Sequence, residues 1–467
     1  MGKPFVYMFQ YLKGYYLFDI NKNLIVEVTK GLYMALGDMC NSGNKIAMSN
    51  YSPSVVASLN ALESRGFLSS NKPKETLNPL SLVSYDHLTY NLKGMVFQLS
   101  QNCNLKCRYC IFSGETILSR GHSNKNMTWE IAKKSIDFFA THSWFSEEVS
   151  FGFYGGEPLM AFDILKKSVE YIKEKMYDKT IHFQITTNGT LLTPKCIDFF
   201  KENDFDITVS LDGPEKIHNL NRRFSHNGQG SHSIIINHLK EFRDRYPNYY
   251  EQKVSYNSVV SDNDNWNVIT DYFEKEKLFA SNSVTLNNVS DTYLFASYRT
   301  SDRYMQKKTI EFHVLLGLVF NYKTNYYGTI SNEVNRLKKQ FTEMAPLPYY
   351  AHHQGPCMPG YRRLFVDIYG NLRVCEKTGE KSGHMIIGNL DSGFDFNAVN
   401  RLLNIGKISR DKCLSCRAIR HCRICPVEID GINELSQELK ESLCDYNLAN
   451  FTYDLKQYVI YRKLGLI

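Results

Sequence analysis

The chain has 467 residues, 43% of them apolar, which suffices for about three domains of ~150 residues with real cores. Its formal charge of +7 is spread along the chain, which argues against a nucleic-acid surface and allows at most a mild preference for an acidic peptide. No run of about 18 apolar residues is available to span a membrane, and the opening MGKPFVYMFQYLK lacks the apolar core and small-residue cleavage site of a signal peptide, so a cytoplasmic location is expected.

In chain order, YYLFDINKNLIVEVTK (15–30) predicts two short strands around the turn residues Asp19 to Asn23. GLYMALGDMC (31–40) and SVVASLNALESRGFL (54–68) predict helices, the second opening after Ser52 and Pro53 and closing at Gly66. A strand pair with small helices suggests a winged-helix-like module over 1–80, and the polar, proline-bearing SSNKPKETLNPLSL (69–82) is expected to be a linker.

Over 90–290 the pattern alternates between strands and helices. GMVFQLS (94–100), EVSFGFYGG (148–156), IHFQITTNG (181–189), DITVSLDG (206–213) and VSYNSVVS (254–261) are rich in strand formers. TWEIAKKSIDFFATH (128–142) and DILKKSVEYIKEKM (163–176) have helical periodicity. Such βα repeats imply a parallel sheet, open or curled into a barrel, with chemistry at the C-terminal strand ends. Residues 291–345 read as an aromatic helical connector. From 346 to 467 the elements are short, and a small domain of that kind needs metal staples.

Ten of the twelve cysteines fall in two groups, whereas Cys40 and Cys196 stand alone and read as small buried hydrophobes. In a reducing compartment grouped thiols are metal ligands before they are disulfides. Cys103, Cys107 and Cys110, in QNCNLKCRYC, can hold three irons of a [4Fe–4S] cluster and leave the fourth open, whereas a closed electron-transfer cluster takes four thiolates. The alternative at this point is a structural zinc site completed by a distant histidine. The doublets of CLSC…HCRIC, Cys413, Cys416, Cys422 and Cys425, likewise match zinc ribbons when taken alone.

Cys-x3-Cys-x2-Cys after a first strand, followed in order by GGEP (155–158), TNG (187–189) and SLDG (210–213), resembles the radical S-adenosylmethionine (SAM) superfamily over about 94–290. The resemblance implies a partial (β/α)6 TIM-type barrel whose cluster binds the cofactor's methionyl group. It further implies that Tyr109 lies beside the adenine, that Gly155, Gly156 and Glu157 surround the amine, and that Asn188, Ser210 and Arg222 reach the ribose or carboxylate. Arg223 could pair with the carboxylate equally well.

Cys357, Gly370, Cys375, the run Cys413–Cys425 and Cys444 look like the seven-cysteine SPASM extension of peptide-modifying radical enzymes, apart from a two-residue final spacing in the run of four where three is usual. The resemblance implies two auxiliary [4Fe–4S] clusters besides the first. Cys413, Cys416, Cys422 and Cys444 would complete one; Cys357, Cys375 and Cys425 would hold the other, left open or closed by His352, His353, a carboxylate or water. Glu376 stands where sulfatase-maturating relatives place a basic Asp, or else is a surface residue pairing with Lys377 or Lys381.

A winged-helix fold ahead of such an enzyme resembles the leader-recognition module of ribosomal peptide maturases, which add the leader as a strand to a sheet edge. A DNA-binding winged helix is disfavoured because the second helix offers only Arg65 to phosphates. The implied activity is maturation of a Cys-containing ribosomal precursor peptide of the sactipeptide or ranthipeptide kind. Hydrogen abstraction by a 5′-deoxyadenosyl radical leads to thioether crosslinks between Cys sulfur and carbon, with flavodoxin or ferredoxin as external electron donor. Carbon–carbon or carbon–oxygen crosslinking, epimerisation and formylglycine formation in sulfatases use the same motifs. A plain iron–sulfur electron carrier is contradicted by GGEP and by the triad.

Overall fold

The computed structural model describes residues 3–42, 50–112, 121–260, 266–279, 281–288 and 327–467. Residues 289–326, most of the expected connector, lie outside them, and Tyr327–Gln340 is a helix. No helix among the described residues is long and apolar enough to cross a membrane.

The central feature is a sheet in which β5 (Gly94–Ser100), β6 (Glu148–Gly155), β7 (Thr180–Thr187), β8 (Asp206–Ser210), β9 (Val254–Val260) and β10 (Ser283–Asn288) follow one another in chain order, each pair parallel. Helices Trp129–His142, Phe162–Lys175, Pro194–Glu202 and His232–Arg245 occupy the crossovers. Six parallel strands in sequence order give the parallel sheet expected from the sequence. Five of them coincide with the runs expected from sequence, and β10, SVTLNN, was not anticipated.

Along β9 every second residue is buried, and the same alternation holds over Phe183–Thr187 of β7 and Ile207–Val209 of β8, the two-residue period of a pleated strand with unlike faces. One face carries an aromatic row, Phe97, Phe153, Phe183 and Phe205, with ring centroids 5.2–6.5 Å apart from each neighbour to the next. Phe200 of one covering helix packs onto Phe205, and Phe139 of another packs onto Phe151, which stacks on Phe97. The other face encloses a cavity of about 260 Å³ lined by Val96, Tyr154, Gln184, Thr186, Thr208 and Arg363, among others.

The sheet does not end at β5. β12 (Leu364–Val366) joins it in parallel, and β13 (Asn371–Arg373), β14 (Ile386–Asn389) and β15 (Gly393–Phe394) continue antiparallel. The cysteine-rich C-terminal part is thus hydrogen-bonded into the same sheet as the parallel strands.

At the N-terminus β1 (Val6–Tyr11), β2 (Gly14–Asp19) and β3 (Leu24–Val28) form an antiparallel sheet with helices Lys30–Ser42 and Pro53–Ser64 beside it. The strands flanking Asp19–Asn23 were anticipated and β1 was not. One face of this sheet packs on those helices through Leu17, Leu32, Leu36 and Leu59. The other shares a core with the C-terminal part, where Phe18 meets Phe341 at 5.9 Å and Phe451 at 5.3 Å.

The segment expected to be a linker is built in. Asn71 donates to Leu347 O, β4 (Glu75–Thr76) pairs with β11 (Tyr350–Ala351), and from Leu80 the chain is already a helix that runs to Tyr90. Asn78 ties that turn down, its N–H meeting Asn404 Oδ1 at 2.8 Å. A polar, proline-bearing composition reads as loop, but here its side chains serve as hydrogen-bonding ties.

Candidate active site

The loop after β5 carries Cys103, Cys107 and Cys110. It is held by Lys106 N–H to Arg223 O (2.8 Å) and Arg108 N–H to Asn221 O (3.1 Å) on one side. On the other, Gly156 N–H reaches Ser100 O and Glu157 N–H reaches Asn102 O. A Cβ at Gly156 would lie 2.1 Å from Asn102 O, and one at Gly155, whose φ is +136°, 2.3 Å from Ser100 O. These glycines let the end of β6 lie directly on the cysteine loop.

Glu157 is fully buried, and its two oxygens serve three donors: Leu159 N–H (3.0 Å), Thr187 Oγ1 (2.7 Å) and Asn188 N–H (2.7 Å). Burial outweighs these donors and pushes its carboxyl up to about 7. Glu157 therefore fixes the TNG turn to the end of β6. That turn presents Asn188, whose Nδ2 donates to Asn104 Oδ1 at 2.9 Å and lies 3.8 Å from Cys103 Sγ.

On the opposite flank Asp212, fully buried, accepts from Tyr109 Oη (2.6 Å) and Arg222 Nε (3.0 Å) at Oδ2 and from Val259 N–H (3.1 Å) at Oδ1. The Arg222 guanidinium lies 5.4 Å from the Tyr109 ring centre and 4.0 Å from Cys107 Sγ. Arg223 turns outward to Asn219 O and Gly228 O, so Arg222 is the arginine of this site. Ser210 ends β8 and is buried at the same rim. Asp212 and Asn104 were not among the residues expected from sequence. The SLDG motif contains Asp212, but motif position alone gave it no task.

The thiols fall into three electrostatic neighbourhoods. Burial, with repulsion from Glu157 and then Cys107 and Cys110, pushes Cys103 up to about 12. Burial pushes Cys107 up to about 11, opposed by Arg222. Cys375, up to about 12 through burial and Glu376, also feels Cys357 and Cys425. Cys422, up to about 12 through burial, feels Cys416, Cys413 and Cys444. The ten cysteines are thus grouped as 103/107/110, 357/375/425 and 413/416/422/444. Cys196 is buried, whereas Cys40 is only half-buried.

Among the described residues no three His, Cys, Asp or Glu side chains converge as a mononuclear metal ion would need. A cluster instead takes one thiolate per iron, and sets of three, three and four neighbouring thiols fit that donor chemistry. His352 and His353 stand with the set of four. His352 Nε2 accepts Gly406 N–H at 2.6 Å and Nδ1 meets His353 O, a neutral ring, while His353 is held low, to about 2, by burial, His352 and Lys440. These contacts do not bring either histidine to Cys357, Cys375 and Cys425.

Glu376 does stand there. It pairs with Arg363 at 2.9 Å rather than with Lys377 or Lys381, and its Oε2 is buried without a hydrogen-bond partner. Tyr154, on the cavity wall, is pushed up to about 12 by loss of solvent, then by Glu376 and Cys110. Tyr154 thus feels one thiol of the first set and the carboxylate beside the second.

Residues 97–275 match the model of the Radical SAM superfamily. The serine-type anaerobic sulfatase-maturating enzyme of Bacteroides thetaiotaomicron is 35% identical over 168 residues, 35% of this chain and 40% of that protein. The cysteine-type enzyme of Clostridium novyi is 30% identical over 196 residues, 40% of this chain and 49% of that protein. The radical SAM cyclopropyl synthase TigE of Paramaledivibacter caminithermalis is 29% identical over 180 residues, 36% of each. The chain thus spans less than half the length of the curated relatives it matches. The solved structure of native anSMEcpe with bound AdoMet superposes with a TM-score of 0.58 at 21% identity, covering 80% of this chain and 98% of that one, and shows a shared fold. Residues 97–275, which carry the Cys103–Cys110 loop, are a radical SAM domain.

Proposed function

We propose that this chain is a radical SAM maturase of a Cys-containing ribosomal peptide and installs thioether bonds from Cys sulfur to carbon. The reading is supported by Tyr154 on the cavity wall, which feels the charges of Glu376 and Cys110, together with the Glu376–Arg363 pair beside the second group of thiols.

Cys103, Cys107 and Cys110 would hold a [4Fe–4S] cluster that, with SAM, supplies a hydrogen-abstracting 5′-deoxyadenosyl radical. Around it Asn188, Ser210 and Arg222 would orient the cofactor's polar groups, with Asp212 and Glu157 positioning them. Glu376 is the base for the substrate thiol: Oε2 is unpartnered and buried, and Arg363 fixes Oε1. The second and third thiol sets would hold auxiliary clusters that take the surplus electron. The three-stranded N-terminal sheet offers β3 as an outer strand for leader recognition by strand addition.

A second reading, formylglycine formation in a sulfatase, is favoured by the names of two relatives. Anaerobic incubation with reductant, SAM and a Cys-containing precursor peptide, followed by mass spectrometry, separates the two. Crosslinking removes two hydrogens per bond and one alkylatable thiol. Conversion of cysteine to formylglycine replaces sulfur by oxygen and creates a carbonyl. A peptide unchanged in mass while deoxyadenosine accumulates refutes both.

A further inference from the structure

Lys440, on the Gln437–Lys463 helix, is 1% exposed. Its three polar contacts are Ile405 O at 2.8 Å, Ser409 Oγ at 2.7 Å and Cys413 Sγ at 3.5 Å, and none is a carboxylate. A buried ammonium without a counter-charge is among the most unfavourable arrangements a protein interior can contain. The imidazoles beside it add no negative charge, since His352 both accepts and donates a hydrogen bond as a neutral ring does. The carboxylate nearest in the chain, Glu441, feels Lys440 but is bound by Lys412 and Gln437, and two members of the set of four thiols face the Lys440 ammonium. Cys413 is in contact with it, Cys444 feels its charge, and Cys416 and Cys422 complete the group.

Four thiolates on an iron–sulfur cluster carry net negative charge, more in the reduced state than in the oxidised one. An adjacent cation and a hydrogen bond to a ligand sulfur both favour the reduced state. We infer that Lys440 is the counter-charge of the set Cys413, Cys416, Cys422 and Cys444, and that it raises the reduction potential of the cluster those thiols would hold. This rests on the reading of that set as cluster ligands. Lys440 is a positioning and tuning residue and does not touch substrate.

The test is a redox titration, followed by electron paramagnetic resonance, of the full chain reconstituted anaerobically with iron and sulfide. Lys440→Met is expected to shift one midpoint potential downward and leave the others in place, and Lys440→Arg to restore it. Loss of one cluster's iron in Lys440→Met but not in Lys440→Arg supports the same role. An unchanged set of potentials in Lys440→Met at full iron content overturns it, as does equal iron loss in both variants, because charge then does not matter. The double variant Cys416→Ala/Cys422→Ala tests the underlying reading separately: two thiolates do not retain a four-iron cluster, so iron content equal to that of the parent would show that these thiols hold none, whatever Lys440 does.

Discussion

Tyr109 and Asp212, 103 residues apart in the chain, are joined by a 2.6 Å hydrogen bond, and the oxygen that accepts it also holds Arg222 Nε. One buried carboxylate thereby ties the cysteine loop to the Arg222 guanidinium beside Cys107. Asp212→Ala leaves Arg222 charged and unpaired in the interior, so a loss of about 3–5 kcal/mol in urea unfolding is expected. SAM binding, measured by calorimetry on whatever folded fraction remains, should weaken with it.

The contact of Gly156 with Asn102 leaves no room for a side chain. Gly156→Ala places a Cβ 2.1 Å from a backbone oxygen that cannot turn aside, whereas Gly121→Ala meets nothing within 4 Å. The first should cost about 1–3 kcal/mol and displace the cysteine loop. The second should be close to neutral. Thermal unfolding and iron content of the two variants, read side by side, check this.

Glu157 carries a pH dependence of known sign. Its folded-state value, about 7, lies above its ordinary 4.5, so the folded protein binds the proton more tightly than the unfolded chain. The stability this supplies is complete below pH 4.5 and is lost as pH rises to about 7. The loss is about 3 kcal/mol at 1.36 kcal/mol per pKa unit. In Glu157→Gln that part of the slope should vanish from denaturation curves of the iron-free protein between pH 4.5 and 7.

Phe18 is fully buried between the N-terminal sheet and the C-terminal helix. Phe18→Ala is expected to cost about 3–5 kcal/mol. Because the core is shared, unfolding followed at the N-terminal sheet and at the C-terminal part should shift together. A shift confined to one of them would contradict the shared core.

Glu376→Gln keeps the shape but removes the base. Peptide modification should fall by about 10²–10⁴-fold while deoxyadenosine formation persists. Product and deoxyadenosine quantified from the same reaction read both.

The parts of the molecule legible in sequence were those whose chemistry is local. The Cys-x3-Cys-x2-Cys spacing, the turn glycines after β6 and the two-residue alternation along β7 to β9 each fit within ten residues. β1 was missed because its hairpin turns through Leu12 and Lys13, at φ 47° and 61°, and neither residue announces a left-handed turn as Asn-Gly does. β10 was missed because SVTLNN is mostly polar, with only Val284 and Leu286 apolar. Asp212 and Lys440 were missed for another reason. Each acts through a partner distant in sequence, Tyr109 at 103 residues and Cys413 at 27, and no spacing rule reaches that far. The segment 69–82 has the composition of a linker, and only its contacts with Leu347, Asn404 and β11 show that it is a tie.

The most direct test follows the hydrogen that the radical removes. A Cys-containing precursor peptide, fully deuterated at carbon, is incubated anaerobically with the reconstituted chain, reductant and unlabelled SAM, and both products are analysed by mass spectrometry. The predicted result is deuterium in 5′-deoxyadenosine, with a peptide that has lost one carbon-bound deuterium and one alkylatable thiol per bond formed. Unlabelled deoxyadenosine, with every peptide thiol still open to alkylation, would contradict the account.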